Sequence, residues 1–405
     1  MSRAEARLSA VIVVGASIAG LRAAESLRRH GFEGSLTLIG DETHLPYDRP
    51  PLSKQFLAGE WDDSRITLAT REQLEQIANE ILLGERAVGV DIDRRVVALE
   101  SGREIAFGGL VIATGATPRR LAAFEGRDGV VTIRRVGDAI DLNRRLTTSP
   151  TRLVVVGGGF LGMEVAATAR RLGAEVTVVE PLPTPLARVL GEEIGTAIAK
   201  MHTEHGVVVR TGIGVESILG GERVEAVGLS DGSEVPADAV LVAIGVVPET
   251  NWLEGSGIGL DDGVVCTPSL HCGPGVVAAG DLARFPHPLS EKPVRFEHRT
   301  SAAEQGIHAA RSLLAGEQAE PFSEVPYFWS DQFETKIQSI GIPEPTDEVA
   351  IVAGSLDDRR FAACFGRRGK LSAVVGFSMP RDVMRFHPLL ARGASIDEAL
   401  AAISQ

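Results

Sequence analysis

The 405-residue sequence is poor in cysteine. Only Cys266, Cys272 and Cys364 occur, and none of the pairs has the CxxC spacing typical of zinc sites and thiol redox centres. His287 and His298 show no metal-ligand spacing either. We therefore expect no metal site, and we expect the three thiols to be ordinary buried or surface side chains.

Long apolar runs and a surplus of positive charge are also missing. No stretch of about 18 uninterrupted apolar residues occurs, and residues 1–10 lack the apolar core of a signal peptide. We therefore expect a cytoplasmic protein with no membrane segment. The formal net charge of −13 argues against a nucleic-acid binder, because neutralising phosphates requires clustered Lys and Arg. A local basic patch stays open.

Glycine, in contrast, is abundant, with 45 residues. Two glycine-rich segments belong to a repeated pattern in which an apolar strand, a glycine turn, a helix and a second strand follow one another, which predicts two βαβ units. The first copy comprises strand 11–14, turn 15–20, helix 21–29 and strand 35–40, and the second comprises strand 153–156, turn 157–162, helix 163–172 and strand 175–179.

Each copy also carries an acidic residue, Asp41 or Glu180, about 20 positions beyond its last glycine. A carboxylate there hydrogen-bonds a ribose 2′-hydroxyl, while the backbone N–H groups of the turn and the helix N-terminus attract a pyrophosphate. One copy alone could serve simple helix-to-strand packing, but two complete copies predict two dinucleotide sites. The turn residues are Gly15, Ala16, Ser17, Ile18, Ala19 and Gly20 in the first copy, and Gly157, Gly159, Phe160, Leu161 and Gly162 in the second.

Three further apolar strands end in glycine, at Ala113-Thr114-Gly115, Ile244-Gly245 and Gly280-Asp281. Such runs are typical of buried parallel strands whose ends face a ligand. We predict an α/β fold with two Rossmann-like dinucleotide-binding domains and a C-terminal α+β domain, which has strands at 361–365 and 372–377 and a helix at 395–403. The predicted domains are 1–118 with 247–316, then 119–246 inserted between them, then 317–405.

Several segments together resemble the NADH-dependent ferredoxin reductases of bacterial oxygenase systems, over nearly the whole chain. These are Pro46 to Lys54 (PYDRPPLSK), Ala113-Thr114-Gly115, Pro118-Arg119, Ala279-Gly280-Asp281 and Phe328 to Gln332 (FWSDQ). The resemblance implies a glutathione-reductase-like fold with FAD in the first domain and NADH in the second. It also implies hydride transfer from NADH to FAD and single-electron transfer to a [2Fe-2S] ferredoxin, which serves a cytochrome P450 or a ring-hydroxylating oxygenase.

One departure from the wider fold group bears on the electron acceptor. Disulfide reductases of this fold carry a close cysteine pair beside the first dinucleotide helix, and this sequence has no cysteine there. We therefore expect electrons to leave to an external carrier. An NADH oxidase, a rubredoxin reductase, and a flavin redox sensor resembling apoptosis-inducing factor stay open as alternatives.

The resemblance implies three catalytic residues, each with a simpler interpretation. Lys54 would lie beside the isoalloxazine ring, or it is a surface lysine ending the rigid Pro50-Pro51 turn. Glu164 would lie near the nicotinamide amide, or it complements a helix dipole. Trp329 would form a wall of the active site near the flavin, or it packs in a core.

Further cofactor contacts are implied with these three. Asp41 would hold the adenosine ribose of FAD. Asp281 would contact the ribityl chain or the phosphates, although Asp there would also suit a helix N-cap. The other implied contacts are Val88, Arg134 and the backbone near Arg299 for FAD, and Ile244 and Gly245 for NAD.

Three features qualify this assignment. Glu180 favours NADH, since its charge would repel a 2′-phosphate, and the nearest following arginine is Arg188. Ser17 replaces the second glycine of the fingerprint. Arg299 stands where the family often has Trp, so we expect the acceptor side of the flavin to differ from that of the family. An acidic reductase would bind an acidic ferredoxin through a local basic surface, for which the candidates are Arg65, Arg295, Arg299 and Lys336.

Overall fold

The computed structural model describes residues 8–121, 124 and 126–402. The described residues form two compact units. Unit 1 takes its residues from Met1–Asp48, Asp63–Thr117 and Val247–Pro326, and unit 2 takes them from Arg49–Asp62, Pro118–Val246 and Tyr327–Gln405. The three-domain division stays a prediction beside this grouping.

The elements are numbered in chain order. The helices are α1 (Ile18–Arg29), α2 (Asp63–Ile66), α3 (Arg71–Ile77), α4 (Val136–Thr148), α5 (Phe160–Arg171), α6 (Ala187–Glu204), α7 (Arg299–Ala315), α8 (Pro380–Met384), α9 (His387–Ala391) and α10 (Ile396–Ala401). The strands up to the third glycine-ended run are β1 (Ala10–Val14), β2 (Ser35–Gly40), β3 (Glu80–Leu83), β4 (Ala87–Asp91), β5 (Val96–Leu99), β6 (Glu104–Ala106), β7 (Gly109–Ile112), β8 (Ala116–Pro118), β9 (Val130–Val131), β10 (Arg152–Val156), β11 (Glu175–Glu180), β12 (Val208–Thr211), β13 (Val215–Leu219), β14 (Ala226–Leu229), β15 (Glu234–Pro236), β16 (Ala239–Val242), β17 (Val246–Pro248), β18 (Val264–Val265), β19 (His271–Gly273) and β20 (Val276–Ala278). The remaining strands are β21 (Ala283–Arg284), β22 (Tyr327–Gln332), β23 (Thr335–Gly341), β24 (Glu348–Ser355), β25 (Arg360–Arg367) and β26 (Lys370–Phe377).

Unit 1 is built on a six-stranded sheet in the order β19-β20-β7-β1-β2-β3. Its central strands are parallel, with Val11 opposite both Leu36 of β2 and Gly109 of β7. Helices α1 and α7 approach closely, since a Cβ on Gly306 would lie 2.2 Å from the carbonyl oxygen of Ala19. This arrangement places the first glycine turn at the carboxyl end of the central strand β1.

Unit 2 contains a second parallel sheet, in the order β12-β11-β10-β16-β9. The strands β10 and β16 are apolar and buried, as expected for a sheet covered on both faces. The second glycine turn therefore also follows a central strand, β10, and leads into α5.

The C-terminal part of unit 2 is an antiparallel sheet in the order β22-β23-β26-β25-β24, with α8, α9 and α10 following β26. Its core contains the fully buried rings of Phe361 and Phe377, which stack with centroids 4.5 Å apart. The predicted α/β class, with two Rossmann-like sheets and a C-terminal α+β region, is confirmed.

The predicted element bounds need small corrections. Helices α1 and α5 begin three residues earlier than the patterns 21–29 and 163–172, because residues 18–20 and 160–162 already take helical conformation. The glycine-ended strands stop before Gly115, Gly245 and Gly280, whose φ angles of 71°, 97° and 87° are incompatible with a strand. The last residue of the helix predicted at 395–403 lies outside the described residues.

Among the described residues, no helix is long and apolar enough to cross a membrane.

Candidate functional site

The first glycine turn is held tight by backbone contacts. A Cβ on Gly15 would lie 2.0 Å from the carbonyl oxygen of Ala113, and one on Gly20 would lie 1.8 Å from that of Gly15. Ser17 precedes α1 in an extended conformation, with φ −92° and ψ −165°, which any residue adopts, so its place in the fingerprint does not require glycine. Its side chain does not cap α1, and the first turn of α1 has no acidic residue. The helix N-terminus is therefore suited to a phosphate.

The predicted ribose carboxylate of unit 1, Asp41, follows β2 directly. It is half-exposed and lies 3.7 Å from the guanidinium of Arg86. Val88, on β4, is also exposed. The strand-end residue Thr114 donates its hydroxyl to the carbonyl of Glu249 at 2.7 Å, which holds the Ala113-Thr114-Gly115 segment in place.

Around the third glycine-ended strand, Gly280 donates its N–H to the amide oxygen of Gln305 at 2.8 Å. Arg295 donates to the carbonyl oxygen of Asp281 at 2.8 Å. The element after Asp281 is the strand β21, so the helix N-cap interpretation of this residue is not supported. Arg299 is the first residue of α7, and its Nε lies 3.0 Å from Asp48 Oδ1.

The second glycine turn has the same backbone construction and adds a bound carboxylate. Cβ atoms on Gly157 and Gly162 would collide with the carbonyl oxygens of Ala243 and Gly157, at 2.4 and 2.1 Å. Glu180, at the end of β11, accepts the N–H of Gly158 at 2.6 Å and that of Leu182 at 2.9 Å.

Gly159 differs from these glycines, because a Cβ there would meet no atom within 4 Å. It precedes α5 with an ordinary extended φ of −75°. The space beside the helix N-terminus is therefore open to a ligand, and Glu180 keeps lone pairs for ribose hydroxyls. These features fit the pyrophosphate and ribose of a dinucleotide.

Two residues beyond this glycine turn, Glu164 forms a buried ion pair. Lys54 Nζ lies 2.6 Å from Glu164 Oε2, and both side chains are less than one-tenth exposed. Lys54 follows the 3₁₀ turn Pro50–Ser53, and Thr168 of α5 donates to the carbonyl of Ser53 at 2.8 Å, which tethers this turn to the helix. Removing one partner of such a pair costs about 3–5 kcal/mol.

This geometry excludes the simpler interpretation of each residue, and the cofactor roles of both stay predictions. Lys54 is 9% exposed, so it is not a surface lysine. Glu164 is the fifth residue of α5, and the first turn of α5 contains no acidic residue, so Glu164 does not act as a first-turn partner of the helix dipole.

Two serines complete the contacts of the carboxylate. Ser53 Oγ donates to Glu164 Oε2 at 2.5 Å, and Ser330 Oγ donates to Oε1 at 2.7 Å. Ser330 lies on β22, where side chains alternate between two faces. Trp329 therefore projects from the opposite face, where it is half-buried and stacks on Tyr327 with centroids 6.0 Å apart.

The other predicted residues of unit 2 are held by backbone contacts. The carbonyl of Arg134 accepts from Arg49 Nη1, and its N–H donates to Asp138 at 2.9 Å. Ile244 and Gly245 follow β16, and the N–H of Arg119 donates to the carbonyl of Gly245 at 2.9 Å.

Comparison with known proteins identifies the family. The description "Pyridine nucleotide-disulphide oxidoreductase" matches residues 9–306, and "Reductase C-terminal" matches residues 327–404. The chain belongs to the pyridine nucleotide-disulphide oxidoreductase family. Membership implies a flavin and NAD as cofactors, and it makes the chain an oxidoreductase.

Members of this oxidoreductase family that are similar to the chain are named as ferredoxin reductases. The 5,5′-dehydrodivanillate O-demethylase ferredoxin reductase subunit of Sphingobium sp. (strain NBRC 103272 / SYK-6) is 36% identical, covering 95% of this chain and 94% of that protein. The chlorobenzene dioxygenase ferredoxin reductase component of Cupriavidus sp. (strain PS12) is 37% identical, covering 97% and 95%. The predicted resemblance is confirmed.

A solved structure extends the likeness to the fold. The covalent putidaredoxin reductase–putidaredoxin complex matches with a TM-score of 0.90 and 32% identity, over 95% of this chain and 93% of that chain.

Sequence reasoning missed part of this family member's site. Ser53 and Ser330 lie inside segments that were singled out, but neither was assigned a role. Gln332, two residues beyond Ser330, lies on the same face of β22, and a period of two along Phe328 to Gln332 would have indicated this. His202, which hydrogen-bonds Gln332, carried no signal in the sequence.

Carboxylate partners surround three of the predicted docking residues, Arg295, Arg299 and Lys336. Arg295 lies 2.8 Å from Glu297, Arg299 is bound to Asp48, and Lys336 Nζ lies 3.8 Å from Asp331. A docking surface for an acidic partner stays a prediction.

Proposed function

We propose that this protein is an FAD-containing NADH:ferredoxin oxidoreductase that supplies single electrons to a two-iron two-sulfur ferredoxin, which serves a cytochrome P450 or a ring-hydroxylating oxygenase. The observation that carries the proposal is the buried Lys54–Glu164 pair, two residues beyond a dinucleotide-type glycine turn in the helix that the turn opens. This position suits residues that meet a nicotinamide ring when the pyrophosphate is bound at the turn.

FAD, rather than a mononucleotide flavin, is supported by the first glycine turn. The turn, the uncapped N-terminus of α1 and the carboxylate of Asp41 match the pyrophosphate and the adenosine ribose of a dinucleotide. A bound flavin would supply the chemistry that the side chains lack, accepting a hydride and releasing electrons one at a time. The protein provides orientation, charge and exclusion of water.

In the proposed roles, the ammonium of Lys54 places positive charge beside the ring system that gains electrons. Glu164 orients the carboxamide of the nicotinamide. Trp329, on the opposite face of β22 from Ser330, forms the wall on the acceptor side. No side chain needs to act as a general acid or base, because hydride transfer moves no separate proton.

NADH is favoured over NADPH by Glu180. Its two oxygens are held by the N–H groups of Gly158 and Leu182, so the carboxylate is fixed where the ribose binds. A 2′-phosphate would meet this negative charge at close range, whereas a 2′-hydroxyl donates to it.

An external acceptor is supported by the state of the thiols. All three cysteines are unbridged. Burial raises the pKa of Cys364 to about 12, and hydrogen bonding to Cys266 together with burial raises the pKa of Cys272 well above its usual value. A free thiol is already reduced, and only a disulfide accepts a hydride equivalent, so these unbridged residues do not serve as the acceptor. Unbridged thiols also suit the cytoplasmic location that we propose.

Steady-state turnover tests the proposal. We expect NADH oxidation to depend on added two-iron ferredoxin, whose reduction is measured as a loss of its absorbance. When the ferredoxin is left out, oxygen consumption should be slow. Rapid oxygen consumption without a carrier would instead identify an oxidase. Slow turnover with every carrier, together with a changed oligomeric state on reduction, would identify a redox sensor.

A further inference from the structure

The carboxylate of Glu164 is the end of a buried hydrogen-bond chain that continues away from Lys54. Gln332 Nε2 donates to Ser330 Oγ at 3.2 Å, and His202 Nε2 lies 3.0 Å from Gln332 Oε1. Ser330, Gln332 and His202 are all fully buried. The chain joins α5, β22 and α6 through side chains that have no access to water.

The direction of this chain is set at His202. Burial lowers the pKa of His202 to about 4, so its ring is neutral near pH 7 and carries one N–H. His202 Nδ1 is buried without a hydrogen-bond partner in the part of the chain that the structure describes. A proton on Nδ1 would leave a buried N–H donor unmatched, which is costly. The proton therefore belongs on Nε2, which donates to the amide oxygen of Gln332.

This choice fixes every later bond. Because Gln332 turns its oxygen to His202, its NH₂ group faces Ser330. Because Ser330 accepts from that NH₂ group, its hydroxyl proton points to Glu164. All donors run toward the carboxylate. A flipped Gln332 amide would take the Ser330 proton for itself and leave Glu164 Oε1 without a donor.

The ring of His202 is itself clamped. Phe333 packs edge-on against it with centroids 5.0 Å apart and stacks on His205 with centroids 3.9 Å apart. Phe333 sits in the turn between β22 and β23 with a φ of 53°, a left-handed conformation that is unusual for a bulky side chain. Backbone strain at this turn accompanies the fixed orientation of the histidine.

We propose that Gln332 and His202 are positioning residues of the reductive half-reaction, which fix the Ser330 hydroxyl so that Glu164 stays oriented toward Lys54. This inference rests on the role of Glu164 in the proposed function. Gln332 and His202 are fully buried, and their hydrogen bonds lead to Glu164 only by way of Ser330, so each acts through Ser330.

A spectroscopic measurement tests the hydrogen-bond chain from His202 to Glu164 without enzyme turnover. The sequence contains only five lysines, Lys54, Lys200, Lys292, Lys336 and Lys370. Protein labelled with ¹³C at lysine Cε therefore gives a simple NMR spectrum. The signal that is missing from the spectrum of Lys54→Arg belongs to Lys54. Glu164→Gln gives the chemical shift of the Lys54 signal when the Lys54–Glu164 ion pair is absent. We expect Ser330→Ala and Gln332→Met to move the Lys54 signal part of the way to that position. In the Ser330→Ala background, Gln332→Met should move it no further.

A matched pair at His202 tests the direction of the chain. His202→Gln keeps an N–H donor at the position of Nε2, so the Lys54 signal should stay at its wild-type position. His202→Met is of similar length but removes the donor, so it should shift the Lys54 signal as Gln332→Met does. The rate of flavin reduction by NADH should fall about tenfold in Ser330→Ala, since a hydrogen bond to a charged group is lost. It should fall less in Gln332→Met, which keeps the Ser330 hydroxyl but removes the donor that orients it. The rate of ferredoxin reduction by the prereduced protein should stay unchanged.

Additive shifts in the double variant, or equal spectra for His202→Gln and His202→Met, would overturn the inference. A Lys54 signal that responds as expected supports it whatever carrier the enzyme reduces. Failure to reduce any ferredoxin would count against the proposed function alone.

Discussion

At the scale of single residues, burial gives two groups opposite responses to pH. The pKa of His202 is lowered to about 4 by burial, whereas the pKa of Glu304 is raised to about 7, mainly by burial and further by the charge of Glu324. The hydrogen bond to Gln332 opposes the lowering of the His202 pKa, but burial outweighs it. The folded protein therefore resists protonation of a group that the unfolded chain protonates readily.

The stability of the protein should record this difference. Because the folded pKa of His202 lies below the unfolded value of 6.5, protonation favours the unfolded chain. This destabilisation is absent above pH 6.5, grows as the pH falls, and is complete below about pH 4. Between pH 7 and pH 5, the free energy of unfolding of the wild type should fall by about 2 kcal/mol more than that of His202→Gln. Urea unfolding of both proteins at the two pH values measures this. An equal change in stability for both would contradict the burial argument.

Glu180 determines the coenzyme preference by charge and position. Replacing it with alanine and adding a cation nearby, as Glu180→Ala with Leu182→Arg, should lower the ratio of kcat/KM for NADH over NADPH about tenfold or more, a change of about 1.4 kcal/mol or more. Leu182→Arg alone is the control for the added charge. An unchanged ratio in the double variant would remove the ribose assignment.

At the scale of elements, the two βαβ units were predictable because each is a local pattern of fewer than about 35 residues with strong punctuation by glycine. The structure of residues 11–40 and 153–179 followed from that pattern, apart from the earlier helix starts. The Lys54–Glu164 contact was not predictable from pattern, since it joins residues 110 positions apart, and the Ser330–Glu164 bond spans 166. Resemblance singled out Lys54 and Glu164, but geometry alone pairs them.

The glycines of the second turn have separable roles. Gly157→Ala should destabilise the protein, because its Cβ would lie 2.4 Å from the carbonyl of Ala243 in a backbone with a φ of 106°. Gly159→Ala should fold normally, since its Cβ meets nothing within 4 Å, but it should weaken NADH binding about tenfold by filling the space for the pyrophosphate.

Thermal unfolding and titration with NAD⁺ of both variants, with flavin content as a control, separate the two effects. If a stable Gly159→Ala protein bound NAD⁺ with wild-type affinity, the proposed binding of the pyrophosphate at this turn would be contradicted.

At the scale of the whole molecule, the described residues form two units, and each unit contains one dinucleotide-type glycine turn at the end of a central parallel strand. The two-unit grouping was not predictable from sequence. The segment 49–62, which carries Lys54, and the C-terminal sheet, which carries Ser330, both group with the second Rossmann-like sheet. Such grouping depends on packing between distant segments, which composition and periodicity do not encode.

The central claim is that electrons enter as hydride from NADH and leave one at a time to a two-iron ferredoxin. Anaerobic stopped-flow mixing of the purified flavoprotein with NADH, followed by mixing with oxidised ferredoxin, tests it most directly. We expect rapid bleaching of the flavin and then rapid ferredoxin reduction, with two ferredoxins reduced per NADH because each takes one electron. Rapid bleaching with no electron release to any two-iron ferredoxin would contradict the account.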